Sequence, residues 1–351
     1  MKMSMKCLVP LSLLMLPLAA CGSSDDAAGG EEPTELVIST WGFAEDFFRE
    51  EVYAPFEEEH NVEIVLETGN NSERLNKIRQ GNSSVDLIYL SDYYAQQGIN
   101  DELFAEINRD NIPNIEDIYE MAQAPTGENY GPAYTVSQLG IAYNPEETDV
   151  DITSWADLWN PELESSIGLP SITATAGPMV LDAASVVSGS ESFDEDAAFA
   201  QMKELNPNVA NEYSQTSAYV NMFTQGEIAA GPIMEMYVAD LKEAVPSTEF
   251  VTPEEGAYAI VNTVNVIEGS ENQELAEEFI NWQLSAEVQE TAAAAKVDSP
   301  VNTTLDLTDE EAEGITYGAD TVENLILLDT EMINERSEEW IDRWNRELTQ
   351  Q

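Results

Sequence analysis

Cysteine is almost missing from this chain: its 351 residues hold two, Cys7 and Cys21. From residue 35 onward there is none, which excludes a disulfide, a thiolate metal site and a cysteine nucleophile there. Histidine is scarcer still. His60 stands alone in Glu57-Glu58-Glu59-His60-Asn61, at the end of a predicted helix, where a cation suits the helix dipole. A Ser-His-Asp set would have to be built on that one position. The G-x-S-x-G, H-E-x-x-H and P-loop patterns are absent, and so is the calcium loop with its fixed Gly and Glu. Basic residues number 13 against 68 acidic ones, a formal charge of −55. That charge repels nucleic acid phosphates. Paired carboxylates could be chosen almost anywhere in so acidic a chain, so they give a glycosidase reading no specificity. No apolar run is long enough to span a bilayer. The expectation is a protein that binds rather than catalyses, with no cofactor and no metal.

What is present begins with an address. Lys2 and Lys6 precede an apolar run over 8–18, followed by Ala19, Ala20 and Cys21. This is the layout of a secretory signal. Leu18-Ala19-Ala20-Cys21 resembles a bacterial lipoprotein lipobox, which implies that Cys21 becomes the lipidated N-terminus. Residues 1–20 then read as a signal peptide and 21–34, rich in Ser, Asp, Ala, Gly and Glu, as a flexible linker. The expected place is outside the cytoplasm, lipid-anchored on the outer face of the cell membrane, or periplasmic. Acidic residues are spread from Glu31 to Glu347, the pattern of a folded acidic surface and not of a disordered tail. Adaptation to a saline or alkaline exterior explains this better than ligand steering, which needs charge only near a cleft.

Periodicity gives α/β order. Residues 35–40 read as a strand, 44–59 as a helix with Phe48, Val52 and Phe56 on one face, 62–67 as a strand, 72–80 as a helix and 85–90 as a strand, with a helix following Ser91-Asp92. This implies a mostly parallel sheet flanked by helices, with ligands at the carboxyl ends of strands. Residues 130–144 alternate as a long strand or strand pair. Ser154 and Asp157 form a capping-box pattern at a short helix. A second α/β set runs from residue 167 through strands at 167–170, 209–213 and 227–233, with helices at 178–187, 193–205, 217–225 and 235–243. Residues 257–267 form a β run carrying Asn262, Thr263 and Asn265, the polarity of a segment lining a wet cleft. A helix over 273–295 and a helical tail with Trp340 and Trp344 follow. The expected fold is therefore α/β and two-lobed, each lobe a mostly parallel sheet flanked by helices. The first lobe takes 35–138, the second 139–262, and 263–351 returns to the first. A cleft between such lobes can close by hinge motion.

Candidate site residues come from strand ends and turns. Trp41, Ser91, Asp92 and Tyr93 sit at predicted strand ends; with Tyr94 and Tyr134, the aromatics among them suit an organic cation. Thr173-Ala174-Thr175-Ala176-Gly177 precedes a helix, where backbone N–H groups can hold a carboxylate, phosphonate or sulfonate, or serve as ordinary capping. Packing accounts better for Trp155, Trp159, Trp282, Trp340 and Trp344.

The order of these pieces is similar to bacterial extracellular solute-binding proteins of ABC importers, and most to the spermidine/putrescine-binding branch. Carrying the likeness are Ser39-Thr40-Trp41, residues 85–94 (VDLIYLSDYY), 139–144 (LGIAYN), 153–159 (TSWADLW), 223–231 (FTQGEIAAG) and Phe279-Ile280-Asn281-Trp282. The resemblance implies a two-lobed, type II periplasmic-binding-protein-like fold, solute capture by hinge closure, and a monomer that docks on a membrane permease driven by an ATPase. Trp41, Ser91 and Tyr93 match family site positions. Elsewhere the chain departs: Ile172 and Thr175 stand where polyamine binders carry acidic residues, Met234 where they carry tryptophan, and Asn262 where they carry a carboxylate. Asp92 and Glu235 remain to neutralise amines. The leading expectation is a polyamine or related organic cation. A zwitterion or anion such as an aminophosphonate, or a thiamine-like compound, is the alternative, and a surface hydrolase the rival from another class. The expected contacts are Trp41, Ser91, Asp92, Tyr93, Tyr134, Thr173, Thr175, Glu235 and Asn262.

Overall fold

The strand order is β2-β1-β3-β9-β4-β7-β5-β6, with β8 paired to β4, in a computed structural model that describes residues 32–81 and 83–348. Cys21 and the segment assigned as signal peptide lie outside those residues. The first half of the sheet is built from β1 (Thr34–Thr40), β2 (Val62–Thr68) and β3 (Leu87–Ser91), with β1 parallel to both neighbours. The second half contains β5 (Ile167–Pro170), β6 (Val209–Tyr213) and β7 (Ala230–Met234), and β5 runs parallel to β6 and β7. Two long antiparallel strands, β4 (Ala133–Tyr143) and β9 (Tyr258–Val266), connect the halves. Asn262 to Val266 of β9 pair with β3, while its earlier residues pair with β4. Leu139 to Tyr143 of β4 pair with β7. Every residue of β4 and β9 is buried, including Ser137, Thr263 and Asn265. Their polarity is met inside the fold for Thr263, whose hydroxyl donates to the Leu90 carbonyl, and for Asn265, which donates to Thr263.

The α/β reading holds, with informative departures. The single helix expected over 44–59 is interrupted. Its turns over Phe48–Tyr53 are π-helical, and an α-helix resumes at Ala54–His60, with Pro55 in its first turn, where a missing N–H is harmless. His60 ends this helix, stacked on Phe56 at 4.1 Å and 3.4 Å from the Glu278 carboxylate. The helix expected over 273–295 is two, Gln273–Gln283 and Ala286–Ala294, because the Ser285 side chain caps the second by accepting from the Val288 N–H. A short strand, β8 (Glu249–Val251), pairs with β4 and has no clear alternation to announce it. The capping box at Ser154 and Asp157 is present, on a 3₁₀ turn over Trp155–Trp159.

The last helix, Thr330–Glu347, holds both halves. Asn334 donates to the Tyr93 carbonyl in the first half, while the indoles of Trp340 and Trp344 donate to Glu195 and Glu212 in the second. Arg343 adds ion pairs to Glu195 and Asp196 at 3.1 and 2.9 Å. Burial of both tryptophans, each 1% exposed, supplies the apolar part of this contact, about 1.5–3 kcal/mol or more for a side chain of that size. Among the described residues no helix is long and apolar enough to cross a membrane.

Candidate solute-binding site

A cavity of about 750 Å³ lies at the carboxyl ends of strands from both halves. That volume suits a small organic solute. From the first half come Trp41 to Ala44 after β1, Thr68 and Gly69 at the end of β2, and Asn70 to Glu73 at the next helix start. The second half contributes Thr173 to Ala176 after β5, Tyr213 to Ser217 after β6, and Met234, Met236, Tyr237 and Asp240 after β7. Tyr134 of β4 and Asn262 of β9 complete the wall from the connecting strands. Two glycines make the turns feasible. Gly42 has φ +74, in the left-handed region. A Cβ on Gly177 would come within 2.3 Å of the Ser171 carbonyl oxygen, so only glycine lets that turn close.

Three helices begin at this wall: Asn71–Arg79, Gly177–Val187 and Thr216–Thr224. The first is closed by a capping box, in which Asn70 accepts from the Glu73 N–H at 2.9 Å and Glu73 accepts from the Asn70 N–H at 3.4 Å. The other two have no side-chain cap, at Ala176 and Gln215. First-turn N–H groups lack partners within a helix, so an uncapped turn facing a cavity is a ready donor for an anion. Gly177 already donates to the Ala174 carbonyl and Pro178 has no N–H, which leaves this role to Thr216 and Ser217. Among the described residues the charged side chains in the wall are Glu73, which also holds its cap, and Asp240, and no lysine, arginine or histidine lines it.

Asn71 is the hub of the floor. Its Oδ1 accepts from the Trp41 indole at 3.0 Å and from Arg74 at 3.2 Å. Its Nδ2 donates to Ser91 at 3.3 Å and to Thr175 at 3.1 Å. The bond to Thr175 joins the two halves across the cleft. Two tyrosines do the same: the Tyr93 hydroxyl donates to the Ala174 carbonyl at 3.3 Å and the Tyr94 hydroxyl to the Thr173 carbonyl at 3.1 Å. Phe43 meets Tyr237 with ring centroids 4.9 Å apart, a further contact between halves.

Of the residues expected from sequence, Trp41, Tyr134, Thr173, Thr175 and Asn262 line the cavity together. Ser91, Asp92, Tyr93 and Glu235 are buried and stand outside its wall. Ser91 and Tyr93 serve the cross-cleft bonds just described. The Asp92 carboxylate accepts from the Tyr93 N–H at 2.8 Å, and burial pushes its pKa up to about 7. Glu235 accepts from Gln138 at 2.8 Å and from Thr316 at 2.6 Å; burial raises its pKa, partly offset by those bonds. Sequence reasoning missed Asn71, the Ser214 to Ser217 segment and Asp240. The rule that ligands sit at strand ends would have found Ser214 to Ser217, since that segment directly follows β6. For Asn71 the only signal was helix-start chemistry, which reads as capping.

Comparison with known proteins places this geometry. Residues 82–347 match the family described as bacterial extracellular solute-binding protein. The spermidine/putrescine-binding periplasmic protein of Salmonella typhimurium is 26% identical over 247 residues, 68% of this chain and 70% of that protein. The solved structure of an ABC transporter protein from Clostridium perfringens is 41% identical with a TM-score of 0.75, covering 89% of this chain and 99% of its own. A spermidine/putrescine ABC transporter substrate-binding protein from Streptococcus pneumoniae shares the fold, with a TM-score of 0.70 at 23% identity over 88% of this chain and 98% of its own. The chain thus belongs to the bacterial extracellular solute-binding protein family, with the type II periplasmic binding fold, and is a substrate-binding protein of an ABC importer related at low identity to polyamine binders.

Proposed function

We propose that this receptor captures a small zwitterionic or anionic organic solute, of the aminophosphonate or amino-carboxylate kind, by closing its two sheet halves around it. The observation that carries this is the wall itself. The helix Thr216–Thr224 starts there with no side-chain cap, its Thr216 and Ser217 beside the hydroxyls of Thr173 and Thr175, and of the wall's two carboxylates Glu73 also holds the Asn70 N–H. An acidic group placed at that N-terminus gains hydrogen bonds and a favourable dipole, roughly 0.3–2 kcal/mol. An ammonium at the solute's other end is left for Asp240. The chain's −55 charge does not oppose this strongly, since charges beyond about 8 Å are screened at physiological salt.

A second reading, capture of a polyamine, is favoured by the name of the Salmonella relative and by the aromatic wall of Trp41 and Tyr134. Its weakness is charge: a buried diamine needs carboxylates at both ends, and Asp92 and Glu235 do not reach the cavity wall. In either case the receptor delivers its solute to a permease coupled to an ATPase. Lipidation at Cys21 would hold it beside them at high effective concentration. A monomer suffices for this, because both halves of the cavity come from one chain.

A thermal-shift screen with polyamines, aminophosphonates, amino acids, thiamine and ferric ion separates the readings. A solute at 100 times its Kd stabilises by about 2.7 kcal/mol. Shifts confined to solutes with an acidic group support the proposal. Shifts confined to polyamines replace it with the second reading. Turnover of a chromogenic ester or glycoside, with no solute shifting the protein, would overturn the receptor role.

A further inference from the structure

Arg74 is 4% exposed, in the first turn of the helix Asn71–Arg79. In a chain with 68 acidic residues its hydrogen bonds go to none of them. Nε donates to the Gly69 carbonyl at 2.9 Å, Nη1 to the Ser39 and Tyr89 carbonyls at 3.0 and 2.7 Å, and Nη2 to Asn71 at 3.2 Å. Its guanidinium carbon lies 4.8 Å from the centre of the Trp41 ring. Trp41 lines the solute cavity and Arg74 does not; Arg74 faces a separate cleft of about 220 Å³ with Glu67, Thr68, Glu73 and Lys77. In that cleft Glu67 is paired to Lys77 at 2.6 Å and Glu73 holds the Asn70 cap. The indole therefore separates a fixed guanidinium from the cavity. Burial pulls its pKa down to about 9, still above neutral, so it remains a cation at pH 7.

We propose that Arg74 sets the sign of charge the cavity accepts against Trp41: through the indole it favours an acidic group and works against an ammonium. This deepens the preceding proposal and rests on its placing the solute in this cavity. A cation stacked on the cavity face of the ring would stand roughly 9 Å from the guanidinium, the 4.8 Å on one side plus about 4 Å on the other. Coulomb's law at an effective dielectric constant of about 20 makes that unfavourable by roughly 20-fold, and water in the cavity reduces it to about 5-fold. In a family fold whose named relatives bind amines, one buried arginine would thus turn an aromatic face from a cation site into a neutral or anion site. Arg74 is here a specificity-positioning residue, because it reaches the solute only through Trp41 and Asn71.

Putrescine and 4-aminobutanoate are a matched pair of probes. They share a four-carbon frame and one ammonium, and differ at the other end, ammonium against carboxylate. Calorimetric affinities are measured for both in the wild type, Arg74→Gln and Arg74→Lys. The wild-type preference tests the solute class; the change in preference tests Arg74, whichever probe the wild type favours. The expected result is a shift toward putrescine of at least 5-fold in Arg74→Gln and less than 3-fold in Arg74→Lys, which keeps the charge but not the fork of donors. An unchanged ratio in Arg74→Gln overturns the proposal. An equal shift in Arg74→Lys also overturns it, because the arginine would then be only a clamp on Ser39 and Tyr89. Should the neutral variant not fold, or neither probe bind, the wild type still answers. Quenching of Trp41 emission, isolated by difference from Trp41→Phe, is expected to favour iodide over caesium more strongly than quenching of free N-acetyltryptophanamide does. An iodide-to-caesium ratio equal to or below that of the free indole overturns the proposal.

Discussion

Asn71→Ala removes four hydrogen bonds at once, to Trp41, Arg74, Ser91 and Thr175. Asn71 is 5% exposed, so water replaces them poorly. Each neutral bond contributes about 1 kcal/mol net, and a buried donor left without an acceptor costs about 1–3 kcal/mol. The indole N–H and one guanidinium N–H both lose their acceptor, so about 3 kcal/mol of stability should be lost. Thr175→Val is milder: it deletes one hydroxyl at near-constant volume and breaks only the bond across the cleft. Because that bond joins the two halves, its strength belongs to the closed form. The double variant Asn71→Ala/Thr175→Val therefore isolates a coupling of about 0.5–1.5 kcal/mol in solute binding. The assay is a four-protein cycle with calorimetric affinity and melting for each. Additivity within about 0.3 kcal/mol in both readouts would refute the claim that Asn71–Thr175 helps hold the halves together.

Asp298 gives a pH prediction. It is 5% exposed, its Oδ1 has no hydrogen-bond partner among the described residues, and burial pushes its pKa up to about 8. The folded state keeps this proton where the unfolded state releases it, so the group's stabilising contribution is complete below about pH 4 and is lost as pH rises through about 8. Asp298→Asn should flatten the fall in melting temperature over that window and leave the variant more stable than wild type at pH 8.5; urea unfolding across pH 4–9 checks it. Glu235→Ala strands Gln138 and Thr316 and should cost about 2–4 kcal/mol while changing solute affinity less than threefold, read by melting and titration. Melting temperature should rise between low and molar salt as screening relieves the repulsion within a −55 chain; no change would show that its acidic residues are already compensated.

The sheet was legible because buried strands and amphipathic helices obey simple periods. Val62, Ile64 and their neighbours announced β2, and the polar residues of β9 marked a connecting strand. Of the wet-cleft lining expected there, only Asn262 reaches the cavity, while Thr263 and Asn265 are fully buried and bonded inside the fold. Helix interruptions were not legible. The π turns at Phe48–Tyr53 and the break at Ser285 depend on packing and on one capping side chain, and neither disturbs the apolar spacing. The cavity lining was legible where an aromatic follows a strand directly, as at Trp41, and where a hydroxyl sits in the turn before a helix, as at Thr175. Adjacency to a strand end did not bring Asp92 and Glu235 into the cavity wall. Each follows a strand end, but the first residue of a helix can turn into the core, and both carboxyls do. Arg74 left no trace in the sequence. An arginine one position before the inward-facing Leu75 reads as solvated, and its burial is tolerable because carbonyls of Gly69, Ser39 in β1 and Tyr89 in β3, with Asn71, accept its N–H groups.

Calorimetric titration of the wild type and Trp41→Ala, side by side, with the strongest solute from the thermal-shift screen, tests the central claim most directly. One solute per chain is expected, bearing an acidic group, with at least 10-fold weaker binding in a Trp41→Ala protein that still melts cooperatively. Equal affinity in the two proteins would place the solute elsewhere and contradict the assignment of this cavity.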